Sequence, residues 1–367
     1  MKKRLCIISI FFIILIMLFV GCAPSSTSPT APEPADKPQE EPQEDVVKMA
    51  PVNLRLAHFW SATHFVETDI VQLWAEEVER ATNGLVTVTS YPGGTLLGAN
   101  DIYGGVEEGI ADLGISFFTY TRGRFPMVEI FELPGTVYNN CEVAAKVIWE
   151  YLKEMNPEEV QDTKIMFAGS GGLADLATKT PVRTLEDLQG MEIRTTGASA
   201  LPITVLGGVP VSLPMSDSYE ALSKGVVKGI LGPPSPLQTW KLSEVVDYVT
   251  LTPFLYTSGW FFTMNLNTWN SLPAEIQTAI KEINEKIHED VVLPAFRDAD
   301  EKGLKYAIEQ EKVEILTLTK EETERWVNIS RATRDEHILI AEGQGLPAKK
   351  ASDLIEQLAK KYNEIYK

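Results

Sequence analysis

Arg194 lies between two glycines at the end of a short segment, and its side chain is well suited to bind an anion. Gly190 precedes it and Gly197 follows it, so a brief strand that ends in a loop is predicted over Met191–Thr195. A guanidinium is planar, always charged and offers two parallel N–H donors that match a carboxylate. An isolated arginine more commonly lies on the surface, so this segment alone leaves both interpretations open.

The other residues that could support chemistry have the wrong spacing for known catalytic or metal motifs. His58 and His64 are six residues apart, without a cysteine or carboxylate at a metal-ligand spacing, so no metal site is expected. Gly93–Gly98 is not followed by the lysine of a phosphate-binding loop, and Gly169–Gly172 lacks the Gly-x-Ser-x-Gly pattern of hydrolases. We therefore predict a binding protein that has no cofactor and is not an enzyme.

The first fifty residues predict export and attachment to a membrane. Lys2–Arg4 is basic, Leu5–Val20 is apolar, and Val-Gly-Cys22 resembles the site at which bacterial lipoproteins are lipidated. A transmembrane anchor is the alternative. We predict a lipoprotein signal peptide over 1–21 and a disordered Pro- and Glu-rich tether over 22–50. The protein would then be extracytoplasmic and held at the membrane by the lipid on Cys22.

Charge and cysteine content narrow the function further. The formal net charge is −18, which argues against a nucleic-acid partner and means that an anion site must be built locally. Of the three cysteines, Cys6 is expected to leave with the signal and Cys22 to carry the lipid. Cys141 then has no partner, so no intramolecular disulfide is expected.

The elements that must position these residues alternate between strand and helix patterns. In order, the first run is predicted as strand Val52–His58, helix Phe65–Thr82, strand Leu85–Tyr91, helix Asp101–Ile110 and strand Ala111–Phe117. This order predicts an α/β fold with a parallel sheet. Ligands bind at the carboxyl ends of strands in such sheets, which here are His58–His64 and Phe117–Tyr120.

A second α/β unit follows, and a long helix comes after it. The second unit runs through strands at Met191–Thr195, Pro210–Leu213 and Val227–Leu231, and Pro273–Gln310 is one long helical pattern with Pro294 inside it. Because proline kinks a helix, this helix is expected to bend between two lobes. We predict lobe I over 51–171 plus 255–296, and lobe II over 172–254 plus 297–367, with a ligand cleft between them.

The mature chain resembles the DctP-type solute-binding proteins of tripartite ATP-independent periplasmic (TRAP) transporters. The segments that carry the resemblance are Ala57–His64, Trp74–Gly84, Tyr91–Gly98, Gly109–Asp112, Phe131–Pro134, Pro181–Arg194, Tyr219–Gly229, Trp240–Val245 and Trp269–Pro273. The resemblance implies a periplasmic-binding-protein-like fold that closes around its ligand by a hinge. It also implies that Arg194 pairs with the ligand's carboxylate and that a TRAP membrane permease is the partner.

The chain departs from the sialic-acid-binding branch of that family at two places. A second arginine is expected near Ala174 or Asp175 and is missing, and the turn Ile230–Pro234 has no polar side chain. Aromatic residues stand at the predicted strand ends instead; each alone is as compatible with core packing as with a ligand site. The predicted ligand-binding residues are Arg194, Trp60, His64, Phe117, Phe118, Tyr120, Ser216, Pro233 and Trp260.

This set predicts a ligand with a single carboxylate and an apolar or aromatic body. A sugar acid would find too few partners for its hydroxyl groups in such a pocket. A C4-dicarboxylate or a sulfonate is the alternative within the family. A sensory protein that signals to a receptor and an extracytoplasmic enzyme on the same fold are the alternatives from other classes.

Overall fold

Two β-sheets form the framework of the protein, for which the computed structural model describes residues 49–366. The strands are β1 Val52–His58, β2 Val86–Tyr91, β3 Leu113–Phe117, β4 Thr163–Leu173, β5 Asp175–Thr178, β6 Glu192–Thr195, β7 Val209–Ser212, β8 Gly229–Gly232, β9 Tyr248–Leu251, β10 Thr257–Asn265 and β11 Glu314–Thr317. The predicted signal peptide, Cys22 and all but the last two residues of the predicted tether lie outside the described residues.

Each sheet has a parallel part and an antiparallel part. The first sheet has the order β2-β1-β3-β10-β4, in which β1 is parallel to β2 and β3, whereas β10 is antiparallel to both of its neighbours. The second has the order β11-β9-β5-β8-β6-β7, in which β6 is parallel to β7 and β8 and β5 is antiparallel to its neighbours. The predicted α/β class is confirmed, and both sheets are mixed.

Helices cover the sheets. The α-helices are α1 Gln72–Ala81, α2 Ile102–Glu107, α3 Pro126–Glu132, α4 Cys141–Met155, α5 Leu185–Leu188, α6 Ala200–Val205, α7 Ser218–Ser223, α8 Ser235–Thr239, α9 Leu266–Ser271, α10 Ala274–Ile287, α11 Leu293–Glu309, α12 Lys320–Gly343 and α13 Ala348–Ile365. A wider helical turn over Val66–Val71 leads into α1, so the predicted helix over Phe65–Thr82 is present as a continuous element.

Six of these elements were not anticipated from the sequence pattern: β5, β9, α3, α5, α8 and α9. Strands β5 and β9 have only four residues each, and α3 starts at Pro126 within a stretch without a clear period. The glycine-rich Gly169–Gly172 is part of β4 and is not a loop after it. At Gly171 a Cβ would lie 2.6 Å from the Phe117 ring, so a side chain there would collide with an aromatic residue of β3.

The predicted long helix is present and reaches elements of both sheets. Helices α10 and α11 join through a wider turn over His288–Val292 and form one 36-residue helix. That turn ends two residues before Pro294, where the helix must accommodate a missing backbone N–H. Helix α10 packs against α1 beside the first sheet, and α11 packs against α8 beside the second.

The two sheets are linked by very short connections. Strand β4 ends at Leu173 and β5 begins at Asp175, so Ala174 alone separates them. The last helix, α13, packs against α4 and α3, whereas α12 packs against α6. The lobe boundaries stay a prediction, and the C-terminal region contacts elements on both sides of the cleft.

Three further observations concern residues 49–366 as a whole. None of their helices has the length and apolar character needed to cross a lipid bilayer. Within the same range, no three His, Cys, Asp or Glu side chains come together as a group that could hold a metal ion. Cys141 is a free, buried thiol, and burial raises its pKa well above the usual value.

Candidate ligand-binding site

The local sequence places Arg194 on β6, the strand next to one edge of the second sheet. Helix α5 starts with a capping box between Thr184 and Asp187, and Gly190 (φ +70°) turns the chain into β6. In β6, Arg194 pairs with Val211 of β7 on one side and with β8 on the other. The side chain therefore leaves from a fixed backbone at the carboxyl end of a parallel strand.

The guanidinium of Arg194 is buried and only partly satisfied. Arg194 is 3% exposed, and its Nε donates a hydrogen bond of 2.9 Å to the Leu213 carbonyl. Its Nη2 is buried and has no hydrogen-bond partner among the described residues. A buried cation without a counter-charge is costly, so the position favours an anion that arrives with a ligand.

A cavity of about 50 Å³ lies in front of Arg194. Residues from both sheets and from the long helix surround it. The lining residues are Phe59, Trp60, His64, Phe65, Phe117, Thr119, Tyr120, Gly171, Arg194, Thr196, Met215, Leu231, Gly232, Pro233, Ser235, Pro236, Thr239, Trp240, Tyr256, Ser258 and Phe296. Among these described residues, Arg194 carries the one fixed positive charge.

Aromatic rings opposite Arg194 form a continuous wall. Phe59 is at its centre: it stacks on Trp60 with ring centroids 4.1 Å apart and lies edge-on to Tyr120 at 5.5 Å. It also lies parallel to Trp240, from the second sheet's side, at 6.3 Å. Phe117 extends the wall next to Tyr120. Such a surface favours a flat, apolar ligand body.

His64 is a neutral member of this wall. Burial, with a smaller contribution from nearby His58, lowers its pKa to about 3. Its Nδ1 accepts a 3.2 Å hydrogen bond from the Val66 amide, so the neutral ring carries its proton on Nε2. His64 therefore offers a donor without adding charge, and the ligand's anion is left to Arg194.

Three polar side chains from both sides of the cavity, Thr119, Thr196 and Tyr256, form what we call its floor. Thr119 Oγ1 is buried without a hydrogen-bond partner among the described residues. The Tyr256 hydroxyl lies 3.4 Å from Thr196 Oγ1 and 3.4 Å from a carboxylate oxygen of Glu132. On the rim, the Tyr120 hydroxyl accepts a 3.2 Å hydrogen bond from the Met215 amide, which joins the two sides.

The structure brings six of the nine predicted site residues to the cavity and places three elsewhere. Those that line it are Arg194, Trp60, His64, Phe117, Tyr120 and Pro233. Phe118 is a correction: it is 2% exposed and packs on Phe125 and Phe261 in the core, because consecutive residues at a strand end point in opposite directions.

Trp260 and Ser216 are the other two corrections. Trp260 lies beneath the wall, where its Nε1 donates to the Ser170 carbonyl and its ring stacks on Phe296 with centroids 5.4 Å apart. It supports a lining residue and does not line the cavity itself. Ser216 is exposed, and its hydroxyl bonds with the neighbouring Asp217.

Several lining residues were not predicted. Trp240 lies in a segment that resembles the family, but its position after a proline-rich turn gave no strand end to attach it to. Thr119, Thr196 and Tyr256 are small or moderately polar residues next to predicted strand ends, and their convergence depends on contacts far apart in sequence. Of these residues, only Thr196 could have been predicted from the sequence, because it follows Arg194 by two residues.

Both a protein-family model and solved structures match this chain. Residues 56–339 match the family model described as DctP, bacterial extracellular solute-binding protein, family 7. A TRAP periplasmic solute-binding protein from Desulfovibrio salexigens, solved as an open complex, is 30% identical; it superposes with a TM-score of 0.74 over 85% of this chain and 97% of its own. The chain belongs to the DctP family of TRAP solute-binding proteins.

Two further relatives indicate the range of this family. The C4-dicarboxylate-binding periplasmic protein DctP of Rhodobacter capsulatus is 26% identical over 266 residues, 71% of this chain and 79% of its own. A TRAP solute-binding protein from a marine metagenome, specific for aromatic acid ligands, is 25% identical with a TM-score of 0.80, over 85% of this chain and 99% of its own. As a member of this family, the protein is an extracytoplasmic solute-binding component and not an enzyme.

Proposed function

We propose that this DctP-family protein captures a small monocarboxylate with an apolar or aromatic body and that Arg194 pairs with the carboxylate. One observation carries the proposal: Arg194 Nη2 is buried and unpartnered at the edge of a cavity walled by aromatic rings. A bidentate arginine–carboxylate pair would satisfy that nitrogen and neutralise the charge. The ring of the ligand would pack against the wall that Phe59 and Trp240 form.

The aromatic-acid specificity of the marine relative supports this ligand class. That protein has been solved with metahydroxyphenylacetate. The aromatic wall of the present cavity would accommodate such a ring, and no second cation among the described lining residues is available for a second carboxylate. Burying an unpaired carboxylate costs several kcal/mol, so we expect dicarboxylates to bind more weakly. The C4-dicarboxylate relative makes them the necessary comparison.

Isothermal titration against a panel of acids tests the proposal. The panel contains benzoate, 3-hydroxybenzoate, phenylacetate, a branched 2-oxo acid, succinate, malate and benzenesulfonate. We expect micromolar or tighter binding for at least one aromatic or branched monocarboxylate. Tight binding of succinate or malate without binding of the monocarboxylates would contradict it. Tight binding of benzenesulfonate alone would reassign the anion and keep the role of Arg194.

We further propose that the protein works by hinge closure and delivers the acid to a TRAP permease. Contacts across the cavity, such as Tyr120 with Met215, are the kind that form when two lobes close over a ligand. The proposed lipid anchor at Cys22 would keep the protein next to that permease. Mass spectrometry of the mature N-terminus tests the anchor, and an unmodified N-terminus that starts elsewhere would contradict it.

A further inference from the structure

A buried carboxyl group lies directly behind the polar floor of the cavity. Glu132, at the end of α3, is 1% exposed, and its Oε1 accepts a 2.9 Å hydrogen bond from the Gly259 amide. Its Oε2 lies 3.4 Å from the Tyr256 hydroxyl. It forms no ion pair with a cation among the described residues, although an ionised carboxylate in such a place needs one.

The Tyr256 hydroxyl is only loosely held. Its two neighbours, Glu132 Oε2 and Thr196 Oγ1, are each 3.4 Å away, which is long for a hydrogen bond between oxygens. Tyr256 lines the cavity, and burial raises its pKa well above 10, an effect that the nearby Arg194 charge opposes. The phenol therefore stays protonated, and its one hydroxyl hydrogen points toward whichever neighbouring group accepts it.

We propose that Glu132 is a positioning residue for the anion site: as a neutral acid it donates its hydrogen to Tyr256 and thereby leaves the Tyr256 hydrogen for the ligand's carboxylate. This inference rests on the proposed carboxylate ligand. If Glu132 were ionised, the Tyr256 hydrogen would turn toward it and the ligand would lose a donor. A buried acid that is kept neutral so that it can donate is an established device in proteins.

The groups around Glu132 agree with a neutral acid. Burial raises the pKa of Glu132 to about 8, and Glu129 on the same helix acts in the same direction, against the hydrogen bond from Gly259 and the nearby hydroxyl groups of Tyr256 and Thr119. Of the elements packed on α3, β10 and the turn Gly197–Ser199 contain no titratable side chain.

Among the other groups packed on α3, Glu159 accepts hydrogen bonds from the Met127 and Val128 amides, at the opposite end of the helix from Glu132. The turn after β3 contributes Tyr120, and Tyr362 is the one titratable side chain among the buried residues of α13. Arg194 acts on Tyr256. Loss of the Glu132 proton, as the pH passes about 8, would therefore turn the hydroxyl hydrogen of Tyr256 away from the ligand and toward Glu132.

Glu132→Gln is the decisive variant, because the amide mimics the neutral acid: its oxygen accepts from Gly259 and its NH₂ donates to Tyr256. For the wild-type protein, the affinity for the tightest-binding acid of the panel should fall about tenfold between pH 7 and pH 9.5, since one donor to a charged group is lost. In Glu132→Gln the affinity should change less than about twofold over that range. Glu129→Gln, at a neighbouring acid on α3, should still show a fall of about tenfold, because Glu132 still loses its proton in that variant.

Two further measurements separate this inference from the proposed function. Tyr256→Phe should weaken binding about tenfold at pH 7 and flatten the profile. Without any ligand, infrared absorbance of protonated carboxyl groups should be lower in Glu132→Gln than in wild type at pH 7 and equal at pH 10. An equal absorbance at pH 7, or an unchanged pH profile in Glu132→Gln, would overturn the role of Glu132 even if acids bind. Failure of every acid to bind would overturn the proposed function, and with it the donation to a ligand.

Discussion

Gly197 and Thr119 meet across the cavity so closely that no side chain fits between them. A Cβ on Gly197 would lie 1.9 Å from Thr119 Oγ1. Gly197 follows β6 of the second sheet by two residues, and Thr119 follows β3 of the first. The contact therefore lies where the two sides of the cleft approach each other, three residues from Arg194.

Gly197→Ala is predicted to oppose this approach and to weaken ligand binding. The methyl group would collide with Thr119 and hold the two sides apart, so affinity in isothermal titration should fall at least about tenfold. Gly190→Ala is the matched control: Gly190 also has a positive φ, +70° against +38° for Gly197, but its Cβ would meet nothing within 4 Å. It shares the backbone strain and lacks the collision.

A second substitution tests the steric explanation directly. Thr119→Gly removes the colliding atoms, so combined with Gly197→Ala it should recover part of the lost affinity. Equal losses in Gly190→Ala and Gly197→Ala, or no recovery in the double variant, would show that backbone strain and not the contact with Thr119 is responsible.

Arg194→Lys is predicted to lose most of the binding. A lysine keeps the charge but not the planar pair of donors, and the Nε bond to Leu213 would also be lost. We expect the affinity for the tightest-binding acid to fall about 100-fold. Arg183→Lys is the control, since Arg183 is exposed and pairs with Glu314 away from the cavity. Near wild-type affinity in Arg194→Lys would refute the assigned role.

The sequence predicted the framework better than it predicted the site. Hydrophobic periodicity located the long elements, because burial on one face imposes a period, and the flanking glycines placed Arg194 at a strand end. Neither signal located β5 or β9; β6, equally short at four residues, was found because a glycine lies on each side of it. The floor of the cavity was beyond the reach of both signals: Glu132 and Tyr256 are 124 residues apart and meet only when α3 packs beside β10.

The choice between neighbouring aromatic residues was also beyond the sequence. Phe117 and Phe118 are adjacent and chemically identical, yet one lines the cavity and the other lies in the core. Their directions depend on where β3 ends, and a boundary error of one residue reverses the assignment. Trp260 was misplaced for a different reason, since Phe296 of the long helix lies between it and the ligand space.

Trp240 is predicted to contribute to affinity for aromatic acids in particular. Its ring lies beside that of Phe59 in the aromatic wall, with centroids 6.3 Å apart and an angle of 21° between the ring planes. Trp240→Ala should therefore weaken binding of an aromatic acid about tenfold, and of a small branched acid much less. Trp240→Phe, which keeps a ring, should restore most of the difference. Equal losses for both ligand types would contradict a stacking role.

Stability is predicted to fall as the pH rises from about 6.5 to 8. Burial raises the pKa of Glu132 to about 8 and those of Asp175 and Asp300 to about 7. In this window the folded state keeps protons that the unfolded state has lost, so the free energy of unfolding decreases as the pH rises. For Glu132 alone the decrease is about 2 kcal/mol.

Histidines oppose this fall only in the lower part of the window. Burial lowers the pKa of His64 to about 3 and that of His288 to about 4, so both lend stability as the pH rises through about 6.5, where the unfolded imidazoles lose their protons, and add little above about pH 7.5. Thermal unfolding at pH 6.5 and pH 8 measures the effect. Glu132→Gln should reduce the difference between the two midpoints, and an unchanged difference would mean that Glu132 does not titrate there.

One buried hydrogen bond joins Trp74 of α1 to the long helix. Its Nε1 donates to Asn284 Oδ1 at 2.7 Å, and Trp74 is fully buried. Trp74→Phe would leave that oxygen without a donor. The free energy of unfolding, measured in urea, should therefore fall by about 1–3 kcal/mol more than the smaller ring alone would cause. Trp149→Phe supplies the comparison, because Trp149 Nε1 is buried without a partner among the described residues. Equal losses in the two variants would mean that the bond to Asn284 adds nothing to the packing of the ring.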